Sequence, residues 1–196
     1  MFAGHFGLAA AVKAKQPEVP LWALMLSTQL LDVIFVPLVL TGVESIDPIG
    51  KGGYGEAIIH ANYTHSLVGA LLIAGCAGLI SWRLWGRKGG LLIAGMVFSH
   101  WLLDLLVHRS DMPILPGNLG HLPLLGFGLW GSRPISIALE GILIVVGGIL
   151  YFSSALARAR EHSTKLPTNL KRALLAGSVM SLLLLLSLVT DVMGIG

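Results

Sequence analysis

Five stretches of this sequence, residues 20–42, 64–85, 89–108, 134–157 and 170–194, are long and apolar enough for a bilayer. A spanning helix needs about 20 predominantly apolar residues. Four of the runs meet this outright, and the fifth does once its polar interruptions are allowed for. Only 12% of the 196 residues are charged and the mean hydropathy is +0.81, where a soluble domain carries about a quarter charged residues. The expected fold is therefore all-α: a polytopic membrane helix bundle forming one domain over residues 1–196, with five spanning helices. A sixth apolar segment, residues 2–14, is too short to cross alone and reads as a half-length helix packed against the others. Gly, Ala and Ser recur inside the spans (Gly69, Ala70, Ala74, Gly141, Gly147, Gly148), which lets helix backbones approach closely.

The charges orient the bundle. Lys13 and Lys15, then Arg83, Arg87 and Lys88, then Arg158, Arg160, Lys165, Lys171 and Arg172 share one side if each run crosses once. The opposite loops carry Glu44, Asp47, Lys51 and Glu56, then Arg109, Asp111 and Arg133. The basic side is expected to be cytoplasmic, which suits a multi-pass protein of a bacterial inner membrane whose other face is periplasmic. The net charge of +3 is thus used in short loops and gives no indication of nucleic acid. No basic residue precedes the first apolar stretch, the wrong order for a cleavable signal peptide. Cys76 is the single cysteine, so an intrachain disulfide or a cysteine-based metal site is excluded. Residues 112–133, with Pro113, Pro116, Pro123 and five glycines, form neither a helical pattern nor a polar loop. They are expected as an irregular outer-side segment, either lying in the interface or roofing the bundle, and any part at membrane depth must be covered by protein.

Ionisable side chains within apolar spans are costly and each is a functional candidate. Here they are His5, Asp32, His65, His100, Asp104, His108 and Glu140. Counting from the basic ends at about 1.5 Å per residue puts His100 roughly 18 Å up its helix. All seven fall between the midplane and the outer interface, and the inner halves of the spans hold no carboxylate or histidine. His100, Asp104 and His108 repeat every four residues and so share a helix face. Imidazole and carboxylate at that spacing suit a divalent metal; the alternative is a histidine–carboxylate hydrogen bond that ties helices together, with His108 solvated. His60 and Asp47 could extend the same set, whereas Glu44 and Glu56 read as solvated loop groups.

A faint repeat adds weight. STQLLDVI (27–34) parallels SHWLLDLL (99–106), and each follows a segment that opens on a histidine, GHFGLAAAV at His5 and THSLVGALL at His65. Two such helix pairs would set His5, Asp32, His65 and Asp104 around a common axis. The string GHFGLAAAVKAK, then LLD, YTHSLVGALL and FSHWLLDLLVHR resembles the YdjM-like family of small bacterial inner-membrane proteins, described as membrane-bound metal-dependent hydrolases. The similarity covers about the first 110 residues. It implies a ligand set of His5, Asp32, His65, His100 and Asp104. The sequence departs from that pattern at HRSDMP, which adds His108, Arg109 and Asp111.

These features favour a hydrolase with one or two divalent ions, zinc foremost, acting from the outer side on a lipid or lipid-linked ester or phosphoester. Glu140 is the candidate base and Arg109 the candidate phosphate holder. Transport of a metal ion or proton through the same cluster is the alternative. Against it stand spans expected to run unbroken and apolar to their cytoplasmic ends, as in LLIAGCAGLI and LLIAGMVF. The topology is testable in whole cells. Single cysteines at Lys88 and Lys165, in a Cys76→Ala background, should be shielded from a membrane-impermeant thiol reagent, and one at Lys51 should be labelled. The reverse labelling would overturn it.

Overall fold

The computed structural model describes residues 1–49, 54–161 and 166–194; the loop charges Lys51 and Lys165 lie outside them. Six helical elements dominate: α1 (Phe2–Lys15), α2 (Leu21–Thr28), α3 (Leu30–Leu40), α4 (Leu67–Val107), α5 (Arg133–Glu161) and α6 (Leu166–Val192). By length and composition three helices can cross a membrane, Leu67–Val107, Arg133–Glu161 and Pro167–Val192, or four if α2 and α3 count as one bent span. Five separate spans are thus not supported, for two reasons.

The first is a break in the run 20–42. α2 and α3 meet at Gln29 with a bend of 51°. Ser27 and Thr28 donate their hydroxyls back to the carbonyls of Leu24 and Met25, a pattern that bends helices. Gln29 leaves helical geometry at φ −113°, ψ 4°, and its side-chain amide donates to the Phe2 carbonyl of α1.

The second is that runs 64–85 and 89–108 are joined in α4. This element of 41 residues is interrupted only at Trp85 and Gly86, where Gly86 takes the left-handed φ of +68° that glycine adopts without cost. Beyond it the chain folds back. A Cβ on Gly78 would lie 2.8 Å from that of Ala94, and one on Gly90 would lie 2.7 Å from the Gly78 carbonyl oxygen. His65 meets His100 further along, so the limbs of α4 run antiparallel in contact.

The half-length helix forms as expected. α1 runs alongside α5 at a glycine crossing: a Cβ on Gly7 would sit 2.6 Å from the Leu143 carbonyl oxygen, and one on Gly147 would strike the backbone of Gly7. At the basic end Ser154 of α5 donates to the Ala14 carbonyl. Burial, and then the neighbouring Arg158, lower the Lys13 ammonium from its ordinary pKa. Ala3 and Ala10 pack with Ile144, Met180 and Leu184, which brings α6 into the same core.

The all-α expectation fits, and one short sheet is added to it. Residues Ser45–Pro48 (β1) and Ala57–His60 (β2) form an antiparallel pair with Ser45 opposite His60 and Pro48 opposite Ala57. Two four-residue strands are too short to stand out against apolar helices. The 112–133 segment is irregular, as expected, and its backbone is covered. The Leu67 and Val68 amides at the start of α4 donate to the Pro113 and Ile114 carbonyls, and Met112 and Leu125 exchange both of their backbone hydrogen bonds. The segment therefore caps a helix whose first amides lack partners of their own.

The crossing of α1 and α5 should be the least forgiving packing contact. Gly147→Leu is expected to destabilise the protein by about 1–3 kcal/mol, as overpacking does, and Gly141→Leu to be near neutral because a Cβ there meets nothing within 4 Å. Thermal unfolding of both variants in the same detergent checks this.

Candidate metal centre

Four helical segments bring their ionisable residues to one end of the bundle. α1 contributes His5 from its first turn, α3 contributes Asp32, and the two limbs of α4 contribute His65 (just before Leu67) and His100, Asp104 and His108. His5, His65, His100, Asp104 and His108 are all buried, while the Asp32 side chain is 33% exposed and marks the open side.

The two oxygens of Asp104 divide the work. Oδ1 faces donors, with His5 Nε2 at 3.2 Å and the Met1 amino group at 3.3 Å. Oδ2 faces three imidazoles: His100 Nε2 at 3.0 Å, His65 Nε2 at 3.6 Å and His108 Nε2 at 3.7 Å. Asp32 Oδ1 approaches from the other side, 3.3 Å from His65 Nε2 and 3.4 Å from His100 Nε2. His65 and His100 hold their Nε2 atoms 3.2 Å apart.

The far side of each ring fixes where its proton sits. His100 Nδ1 lies 2.6 Å from the Thr28 carbonyl, which only accepts, so Nδ1 carries the hydrogen. That carbonyl is the last of α2, so the break at Gln29 supplies it. His65 Nδ1 lies 2.9 Å from Thr64 Oγ1, and the Thr64 hydroxyl is donated to Glu44 Oε2 at 2.9 Å. Thr64 Oγ1 must then accept from His65. His108 Nδ1 lies 2.9 Å from Asp111 Oδ1, with the same consequence. In the neutral form all three rings therefore turn a bare Nε2 lone pair inward. Ligating histidines are held in this way, with the outer nitrogen donated to a carboxylate, carbonyl or hydroxyl.

Bare lone pairs of His65 and His100 thus converge with oxygens of Asp32 and Asp104, at separations too short for a water between them. One proton on His100 Nε2 would serve Asp104 and leave His65 Nε2 facing Asp32 Oδ1 without a donor. A second would place two imidazolium rings with centroids 5.3 Å apart, a repulsion of about 3 kcal/mol at an effective dielectric near 20, in a site that also desolvates both charges. A divalent cation would meet the lone pairs of Asp32, His65 and His100 together. Bonds of about 2.0–2.1 Å in tetrahedral geometry require ligand atoms about 3.3 Å apart, and five of the six separations among these four groups run from 3.0 to 3.6 Å. The buried His and Asp residues can hold a metal ion. Two overlapping triads, His5–His100–Asp104 and Asp32–His65–His100, share His100.

Comparison with family models, curated proteins and solved structures gives no match.

The remaining candidates take different places. His5 stacks on His100 with ring centroids 3.9 Å apart, and its Nδ1 has no hydrogen-bond partner among the described residues. Its Nε2 approaches the occupied oxygen of Asp104, which suits a group that aims the carboxylate. Glu140 is fully buried, accepts the Tyr54 hydroxyl at Oε1 (3.0 Å) and has no partner for Oε2 among the described residues. Burial, and then the Glu140 carboxyl, push the Tyr54 phenol above its ordinary pKa, so it remains a donor. Arg109 donates to the carbonyls of Gly55 (2.6 Å) and Ala57 (3.4 Å) and ties β2 to the end of α4. His60 pairs with Asp47 across the two-stranded sheet at 3.0 Å and does not extend the cluster. A cavity of about 160 Å³ opens beside the cluster, lined by Asp32, His65, Asp104 and His108 with Phe35, Ile59, Trp130 and Asp191.

Glu44 overturns the expectation of a solvated loop residue. It is buried, and Oε1 accepts the Tyr63 and Thr64 amides at 2.7 and 3.0 Å. No local signal announces a glutamate that acts 20 residues away through a threonine. Asp111 lies in the turn beyond the end of α4, where it reaches back to His108.

Metal content measured by elemental analysis should fall to background in Asp32→Ala, His65→Ala, His100→Ala and Asp104→Ala. It should be unchanged in Arg109→Ala. Thr64→Val should weaken binding about 10–100-fold, the usual cost of losing an outer partner, and Thr64→Ser should restore it. Full occupancy in the His100 and Asp104 variants would leave only helix pairing.

Proposed function

We propose that this chain is a membrane-embedded, metal-dependent hydrolase of the bacterial inner membrane, cleaving an ester or phosphoester in a lipid or lipid-linked substrate from the periplasmic side. The observation that carries it is the convergence of ligand atoms from His65, His100, Asp32 and Asp104, with five of their six separations between 3.0 and 3.6 Å. A divalent cation held there, zinc in this proposal, would polarise a carbonyl or phosphoryl oxygen and make water nucleophilic near neutral pH. The resemblance to YdjM-like proteins agrees with this reading.

The chain's own groups take the other tasks. His100, fixed by Thr28, and His65, fixed by Thr64 and Glu44, keep their inner nitrogens aimed at one point. Asp104 is aimed by His5. Glu140 lies within electrostatic and hydrogen-bonding reach of Asp191, and Asp191 lines the cavity; Glu140 is the proposed proton acceptor. Phe35 and Trp130 supply apolar walls that suit a lipid-like substrate. Arg109, occupied by the β-hairpin connection, holds the roof over the site.

Transport of a metal ion or proton is the second reading, and the break between α2 and α3 favours it, since transporters bind ions at broken spans. The expectation of an unbroken span there does not hold. Below the break, however, the walls between α2 and α4 are mostly apolar, with Ala23, Leu26, Ile73, Ala77 and Ile80 and only the Ser81 hydroxyl, and hold no carboxylate or histidine. Purified protein should cleave a member of an ester and phosphoester lipid panel, with activity abolished by chelator and by Asp104→Ala. Glu140→Gln should reduce turnover by about 10²–10⁴-fold, the usual contribution of a general base, while leaving metal content unchanged. Metal or proton flux in sealed vesicles, with no cleavage across the panel, would reverse the ranking.

A further inference from the structure

A second feature of the molecule lies away from the metal centre. A groove of about 480 Å³ runs between α2–α3 and the limbs of α4, with Leu26, Leu30, Leu72, Ala77 and Ile80 in its walls. The 51° bend at Gln29 prevents α2 and α3 from both lying flush against the straight limb of α4, and the groove is the gap. Leu26, Leu72 and Ile80 are exposed at 45%, 62% and 65%, so the groove faces outward along its length. From Leu72 to Trp85 it extends about 20 Å at 1.5 Å per residue, longer than the roughly 15 Å of hydrocarbon in one leaflet. Trp22 and Trp85, with ring centroids 5.9 Å apart, close the end near the turn of α4.

That end is also cationic. Arg83 shares a hollow with Ile80, itself a wall of the groove. Arg87 and Lys88 follow Trp85 within three residues, and all three cations are exposed. No ion pair among the described residues involves them. Tryptophans at headgroup depth with basic residues just outside are the chemistry that meets an anionic leaflet.

We propose that the groove binds an anionic phospholipid of the leaflet on the side of the α4 turn, with one acyl chain lying along Leu26, Ala77 and Ile80 and the phosphate held by Arg83, Arg87 and Lys88. The groove shares no lining residue with the metal centre. A zwitterionic lipid has the same tail but no net charge for the three cations to meet, so the proposal is one of headgroup preference as well as of shape.

Tryptophan quenching by brominated lipid tests it on the full chain in detergent. Brominated phosphatidylglycerol should quench Trp22 and Trp85 at lower concentration than brominated phosphatidylcholine, and Trp22→Phe/Trp85→Phe should remove that component. Arg83→Gln/Arg87→Gln/Lys88→Gln should raise the half-quenching concentration of phosphatidylglycerol by about fivefold per cation removed and leave phosphatidylcholine unaffected. Ala77→Phe, filling the groove, should abolish the Trp22 and Trp85 component for both lipids. Helical content by circular dichroism, unchanged in each variant, confirms that it is folded. Equal quenching by both lipids in the wild type would overturn the proposal. So would a phosphatidylglycerol preference that survives the triple substitution, or a dimer in which neither lipid reaches the groove.

Discussion

An aspartate carboxylate placed among apolar helices must be neutralised where it stands, and Asp104 organises this molecule around that requirement. Its two oxygens draw in groups from α1 and both limbs of α4, and Asp32 of α3 meets two of the same imidazoles. Leaving a buried charge without its partners costs several kcal/mol, so the arrangement is close to all-or-none. Each partner is in turn anchored on its outer side, His100 by the end of α2, His65 by the Thr64–Glu44 pair and His108 by Asp111. The loops that look like mere connections are thus part of the same polar assembly. The segment after α4 caps its beginning, and the short sheet leads the chain from Glu44 to Thr64.

Most of the inner polar set was legible in the sequence because lipid makes such residues conspicuous. A histidine or carboxylate inside an apolar run has few explanations, and the two LLD segments already suggested that Asp32 and Asp104 face a common point. In the structure each of them lies beside His65 and His100. What the pattern could not convey was how each imidazole is oriented, since that depends on Thr28, Thr64 and Glu44, whose roles arise only when distant segments meet. Hydropathy also counts apolar length without regard to whether the backbone is continuous. It therefore read residues 20–42 as one span, although Ser27, Thr28 and Gln29 carry polar side chains that rebond to nearby carbonyls. It likewise separated two runs that α4 joins through a two-residue interruption at Trp85 and Gly86.

The bend at Gln29 serves two ends with one deformation. A helix terminus leaves carbonyls without intrahelical partners, and at Thr28 this vacancy becomes the hydrogen-bond acceptor that sets the His100 tautomer. The same change of direction opens the gap toward the turn of α4. Straightening the span would close the gap and withdraw the acceptor together, so the polar centre and the apolar groove are mechanically linked through one short stretch of backbone.

The order of elements along the chain carries a further consequence. α1 holds His5 and is made first, yet it is too short to cross a bilayer, and its tight glycine crossing is with α5, more than 130 residues later. At ribosomal rates of 5–20 residues per second, the first helix would wait on the order of ten seconds for that partner. Until then its histidine stays outside the packed bundle. Asp32, His65, His100 and Asp104 all precede α5 in the chain, so what waits for the later helices is the fixing of α1, and with it of the His5 ring that approaches Asp104.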